Sequence, residues 1–119
     1  MSDLSRILVV EDEAILLLDL VDQLAARGLD PIPAASGSAA ARQLGAGIDA
    51  LVTDIDLPGG LNGLDLARKA ARQCPGLPIV VVSGGPRPRP EDLPQGARFL
   101  PKPYRLGDIL AALGHPALQ

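Results

Sequence analysis

Tryptophan is absent from this chain of 119 residues, and Phe99 and Tyr104 are its only aromatic side chains. A core must therefore be built from Leu, Val, Ile and Ala. Cysteine is represented once, by Cys74, so no internal disulfide can form and a reducing, cytosolic setting is expected. Cys74 itself reads as a packing residue at a helix end. Histidine also occurs once, at His115 beyond the last expected helix, and is assigned no role. No excess of positive charge is present: 11 basic against 14 acidic residues give a net charge of −3, which excludes a global field for nucleic acid or anionic membrane. Long apolar runs are missing too. The stretch 14–18 is apolar but is cut by Asp19 and Asp22, so no membrane span is predicted. Residues 1–6 are polar and the run after them is short, so no signal peptide is expected.

What the chain does contain is 47% apolar residues, enough for one globular domain. Short runs rich in β-branched residues lie at 6–10, 49–53, 78–82 and 97–100, each with the length of a buried parallel strand. A weaker run at 30–34 carries Pro31 and Pro33 and suits a sheet edge. A helix is predicted over about 13–27, with Ile15, Leu18, Val21 and Leu24 at helical spacing and Gly28 as its stop. Ser36 or Ser38 caps an Ala-rich helix reaching about Leu44. Further helices are predicted over 64–73 and 105–113. Alternating strands and helices of this kind mean a parallel sheet covered on both faces. The alternation breaks at residues 84–90, where Gly84, Gly85, Pro86, Pro88 and Pro90 cannot continue a helix.

Polar residues stand at the ends of four of these runs: Glu11 and Asp12, Asp54, Ser83, and Lys102. Open α/β sheets bind ligands outside the carboxyl ends of their strands, so these groups are expected to converge. Carboxylates, a hydroxyl and a lysine gathered in one place suit a divalent metal and a phosphoryl group. Three close carboxylates repel one another unless a cation lies between them.

The string Ile7-Leu8-Val9-Val10-Glu11-Asp12-Glu13 resembles the opening of response-regulator receiver domains. So do Asp54 with Pro58 and Gly63 ahead of a helix, Ser83 after the fourth strand, and Lys102-Pro103. The resemblance covers essentially the whole chain. It implies a flavodoxin-like, doubly wound, five-stranded parallel sheet of strand order 2-1-3-4-5. It also implies one receiver domain over residues 1–119 with no output domain, in a bacterial, cytoplasmic two-component phosphorelay. The donor would be a phosphohistidine on a sensor histidine kinase or a histidine phosphotransfer protein. The output would be binding to an unidentified downstream protein, or service as a phosphate shuttle or sink. Neither nucleic acid nor membrane is an expected partner. The chain would phosphorylate and slowly dephosphorylate itself without being a metabolic enzyme.

Residue by residue, the resemblance makes Asp54 the phosphoacceptor. Mg²⁺ is the implied cofactor, an ion that favours oxygen ligands and retained waters. Asp12 and Asp54 would be ligands, Glu11 would act through water, and Asp56 would offer its backbone carbonyl. Lys102 would contact a phosphoryl oxygen and pair with Asp54 at rest, with a cis bond to Pro103. Ser83 matches the switch hydroxyl and Phe99 the aromatic switch position. Two readings stand for Phe99, a ring that moves inward with Ser83 or a static core aromatic. Glu13 is expected to cap the first helix at its positive end.

Several features depart from the family pattern. Glu11 stands where Asp is commoner. Phe99 has no hydroxyl to bond at the surface, which disfavours its outward state. The loop 58–63 is one residue longer than the usual form and is similar to that of some α-proteobacterial receivers. The fourth helix is expected to be missing or vestigial, with residues 84–94 a mobile loop. Arg87 and Arg89 there suit either an acidic partner or plain solvation. Two other functions compete with the phosphorelay. One is a degenerate receiver that only binds proteins. The other is a small Mg²⁺-dependent phosphatase, because Asp54-Ile55-Asp56 resembles the Asp-x-Asp of haloacid-dehalogenase-type enzymes.

Overall fold

The computed structural model describes residues 5–114. His115 and the polar stretch before Ser5 lie outside them. The elements run β1 (Arg6–Val10), α1 (Ala14–Ala26), β2 (Asp30–Ala34), α2 (Gly37–Ala41), β3 (Ala50–Asp54), α3 (Gly63–Gln73), β4 (Ile79–Ser83), β5 (Ala97–Pro101) and α4 (Leu106–Leu113). All five strands are parallel, in the order β2-β1-β3-β4-β5. This is the doubly wound architecture the alternation predicts. No helix among the described residues is long and apolar enough to cross a membrane.

Side chains alternate across a strand, so the three central strands feed two cores. Leu8, Val10, Leu51, Ile79 and Val81 face one side and pack with Leu44, Leu66 and Ala70. Ile7, Val9, Val52, Val80 and Val82 face the other and pack with Leu20, Leu24, Ile109 and Leu110. β3 and β4 are buried at every position, which explains their unbroken apolar reading. β2, with Pro31 and Pro33, is an edge strand as expected, since proline has no N–H to donate and an edge leaves one side of the strand unpaired.

The helical face of α1 differs from its sequence reading. Leu20 and Leu24 are its buried residues, and Leu17 packs partly against the same core. Ile15 and Leu18 point outward, 76% and 61% exposed. Residues 14–18 are apolar all round the helix, so spacing alone did not select the inward stripe. At α2, Ser36 rather than Ser38 is the cap: its Oγ accepts from the Ala39 N–H at 3.1 Å. At α3, Asn62 and Asp65 form a reciprocal capping box.

Between β4 and β5 no α-helix forms. The segment has a single 3₁₀ turn, Pro90–Asp92, so the fourth helix is vestigial as expected. The contacts nevertheless tie the segment at several points. The Gly85 N–H donates to Ser83 Oγ at 2.9 Å, Arg68 of α3 donates to the Asp92 carbonyl at 2.9 Å, and Leu93 packs on the first core.

Candidate functional site

The site lies at the carboxyl ends of β1, β3, β4 and β5. Each apolar strand holds its backbone in the sheet, and the first polar residue after it emerges at the same rim. Glu11 follows β1, Asp54 and Ser83 are the last residues of β3 and β4, and Lys102 follows β5. The sheet register reinforces this, because the Lys102 N–H donates to the Ser83 carbonyl at 2.9 Å.

Gly63 brings helix α3 against the end of β3. A Cβ on Gly63 would collide with the backbone carbonyl of Asp54, so only glycine permits the approach. Thr53 Oγ1 donates to the same carbonyl at 2.9 Å, and the Asp56 N–H donates to Asp54 Oδ1 at 3.1 Å. The acceptor strand end is thus held from several directions.

Lys102 Nζ lies between two carboxylates, 3.0 Å from Glu11 Oε1 and 2.9 Å from Asp54 Oδ2. Glu11 and Asp54 are 6% and 4% exposed, so their charges are offset by a partner rather than by water. Burial pushes Glu11 up from the usual carboxylate range, against the Glu13 N–H and Lys102 bonds that lower it. Burial works against the Lys102 ammonium as well, but its bonds to Asp54 and Glu11 outweigh that and hold it well above the ordinary lysine value. Lys102 is therefore a cation here at neutral pH. The Lys102–Pro103 bond is cis. Tyr104, next along, is raised by burial and by the nearby Glu11 charge.

One carboxylate oxygen each from Glu11, Asp12 and Asp54 lies within 4.8 Å of the other two. Asp12 is exposed, so this cluster opens to solvent on one side. The donor set is all hard oxygen, and an ammonium already stands where positive charge is favoured. Both features fit Mg²⁺.

Glu13 occupies the N-cap position of α1, but its side chain makes no capping bond. Glu11 Oε2 accepts the Glu13 N–H instead, at 3.0 Å. Glu11 thus serves the helix start and the lysine together.

Asp56 brings a contact the sequence did not reveal. Its carboxylate Oδ2 accepts from Ser83 Oγ at 3.0 Å. The sequence assigned Asp56 only a backbone carbonyl for the metal and a place in the Asp-x-Asp of the phosphatase reading. Phe99 is half-buried on β5 opposite Val81 and packs against the first core. The Arg87 guanidinium lies over its ring, 5.2 Å from the centroid. Cys74 sits at the end of α3 and donates to the Leu44 carbonyl at 3.6 Å, in keeping with a packing role.

The model of the response regulator receiver domain matches residues 7–114. The chain belongs to that family. As receivers generally do, it reads as a signalling module. Among solved structures it is similar to a response regulator receiver protein from Sinorhizobium medicae WSM419, with a TM-score of 0.86 and 33% identity over 92% of this chain and 91% of that one. It is also similar to the receiver domain of the hybrid histidine kinase CckA, with a TM-score of 0.78 and 30% identity over 97% of this chain and all of that one. A response regulator receiver protein of Anaeromyxobacter sp. (strain Fw109-5) is 31% identical over 87% of the chain. The chain spans 42% of that relative's length, and 10% of a putative two-component response regulator from Arabidopsis thaliana.

Proposed function

We propose that this receiver accepts a phosphoryl group on Asp54 from a phosphohistidine of a sensor kinase or phosphotransfer protein. One observation carries the reading: Lys102 bridges the buried Asp54 and Glu11 carboxylates beside Asp12. An Asp54 carboxylate oxygen bonds to phosphorus as the donor's N–P bond breaks, and the imidazole leaves with the electron pair. Lys102 then follows the negative charge from Asp54 to a phosphoryl oxygen. Asp12, Asp54 and the Asp56 backbone carbonyl would hold Mg²⁺, with Glu11 acting through water. Bound there, the ion offsets charge on the phosphoryl oxygens. Ser83 turns from Asp56 to donate to the same group, and Phe99 follows it inward. The partner's approach is supported by Ile15, Leu16 and Leu18, exposed apolar side chains at the start of α1 near the acidic rim. The phosphatase reading gains no support, because Asp54 ends the third strand rather than the first and the chain belongs to the receiver family.

The test is intact mass after incubation with a small phosphodonor and Mg²⁺, with Asp54→Asn alongside. One added phosphoryl group in the parent, and none in the variant, is the expected outcome. Equal labelling of both would show that Asp54 is not the acceptor. No labelling of the parent by either the small donor or a histidine-phosphorylated partner would favour the binding-module reading.

A further inference from the structure

Phe99 stands where an outward-facing ring has no hydroxyl with which to hold itself at the surface. The structure supplies something else. Arg87 lies over the ring, and its guanidinium makes no salt bridge among the described residues. Its neighbour in the same motif, Arg89, instead turns its Nε toward Glu91 and Asp92, and it is Arg87 that lies over the ring. Arg87 is flanked by Pro86 and Pro88, which fix the local backbone and limit the paths it can take. The far end of the segment is fastened by Arg68 to the Asp92 carbonyl. The near end is fastened by the Gly85 N–H to Ser83 Oγ. The hydroxyl at that near end is the group that the proposed switch must release.

We propose that Arg87 is a positioning residue that latches the half-buried Phe99 ring in its resting position, and that Ser83 releases the latch through Gly85. This rests on the receiver reading above for what Ser83 does on phosphorylation. When the Ser83 hydroxyl turns to a phosphoryl oxygen, it leaves both Asp56 and the Gly85 N–H. The segment loses its near anchor two residues before Arg87, and the guanidinium moves off the ring. Phe99 is then free to turn inward. The segment that lacks a helix thus connects the hydroxyl to the ring from outside the sheet, in addition to their packing across β4 and β5. The same linkage runs in reverse: anything that draws Arg87 from Phe99 favours the phosphorylated state.

Phe99 is the only phenylalanine in the chain, so 4-fluorophenylalanine labelling gives a single ¹⁹F resonance reporting this ring. Four proteins are compared without phosphodonor: the parent, Arg87→Gln, Arg89→Gln and Ser83→Ala. An exposed cation–π contact corresponds to a shift of roughly 2- to 5-fold in the balance of ring positions. Arg87→Gln and Ser83→Ala are expected to move the resonance in the same direction, with Arg87→Lys restoring part of the parent position. Arg89→Gln, which changes charge in the same segment, is expected to leave it in place. Phosphodonor with Mg²⁺ is then added to the parent and the two arginine variants. Arg87→Gln is expected to raise the ratio of phosphorylated to unphosphorylated protein about 2- to 5-fold over the parent, and Arg89→Gln to leave it at the parent value. The latch is overturned if Arg87→Gln and Arg89→Gln behave alike, or if Ser83→Ala leaves the resonance unmoved. Failure of the parent to label would instead count against the phosphorylation reading, while the donor-free resonances still decide whether Ser83 and Arg87 act on the ring together.

Discussion

At the ends of β1, β3 and β5, charged atoms are buried and joined. Beside them, in the segment between β4 and β5, charged atoms are exposed and joined only loosely. The Lys102 bonds to Glu11 and Asp54 are short and nearly dry. The Arg89 bridges to Glu91 and Asp92 are longer, at 3.8 and 3.3 Å, with the arginine 73% exposed. Buried ion pairs are costly to break from one side, whereas exposed pairs contribute little. The rim is therefore the rigid partner and the segment the adjustable one. A device that must keep chemical geometry yet alter its outer surface needs both, side by side.

The largest test of that contrast uses two glycines. Gly63→Ala forces a Cβ into the Asp54 carbonyl, with no flexible side chain to yield. A loss of about 3 kcal/mol or more is expected, at the upper end of overpacking costs, and denaturant unfolding would show it. Gly84→Ala meets nothing nearer than Lys102 Cβ at 3.9 Å and is expected to change stability by no more than about 1 kcal/mol. Similar losses in both would erase the difference between the regions.

Next comes Lys102→Ala. It leaves Glu11 and Asp54 buried without their cation, and a loss of up to about 3 kcal/mol is expected in metal-free protein. Because the folded protein raises the Lys102 pKa, the stabilisation is fully present below the ordinary lysine value of 10.5. It fades as pH rises from there through the folded value. Alkaline unfolding titrations should show this decline in the parent, and a correspondingly smaller one in the variant. Identical alkaline slopes would mean the lysine's charge is not what holds the rim.

Smaller effects are expected in the segment. Arg68→Ala removes the side-chain bond to the Asp92 carbonyl and is expected to cost about 1 kcal/mol. Arg89→Ala is expected to cost less than about 0.5 kcal/mol, falling further at high salt. A larger effect at Arg89 than at Arg68 would move the segment's anchor from α3 into the segment itself.

The same contrast governs what could be read before the fold was seen. Glu11, Asp54, Ser83 and Lys102 were legible because each ends an apolar run, and parallel strands bring such ends together. The vestigial helix was legible from four prolines between positions 84 and 94, which no α-helix accommodates in its interior. The inward face of α1 was not, because Ile15 to Leu18 are apolar in every direction. Asp56 on Ser83 and Arg87 on Phe99 were not either. Those contacts depend on the path of loops, and no periodicity in the sequence records it.

The Lys102–Glu11 bond joins residues 91 positions apart, on strands that are not neighbours in the sheet. It spans the ends of β3 and β4 to fasten the first strand to the last. Contacts of such long separation close late, because the chain between them must already be arranged. A ribosome delivers the acidic residues first and their counter-charge 91 positions later. The acidic rim acquires its neutralising lysine only when the last strand has docked, so electrostatic completion of the site doubles as a mark of a finished fold.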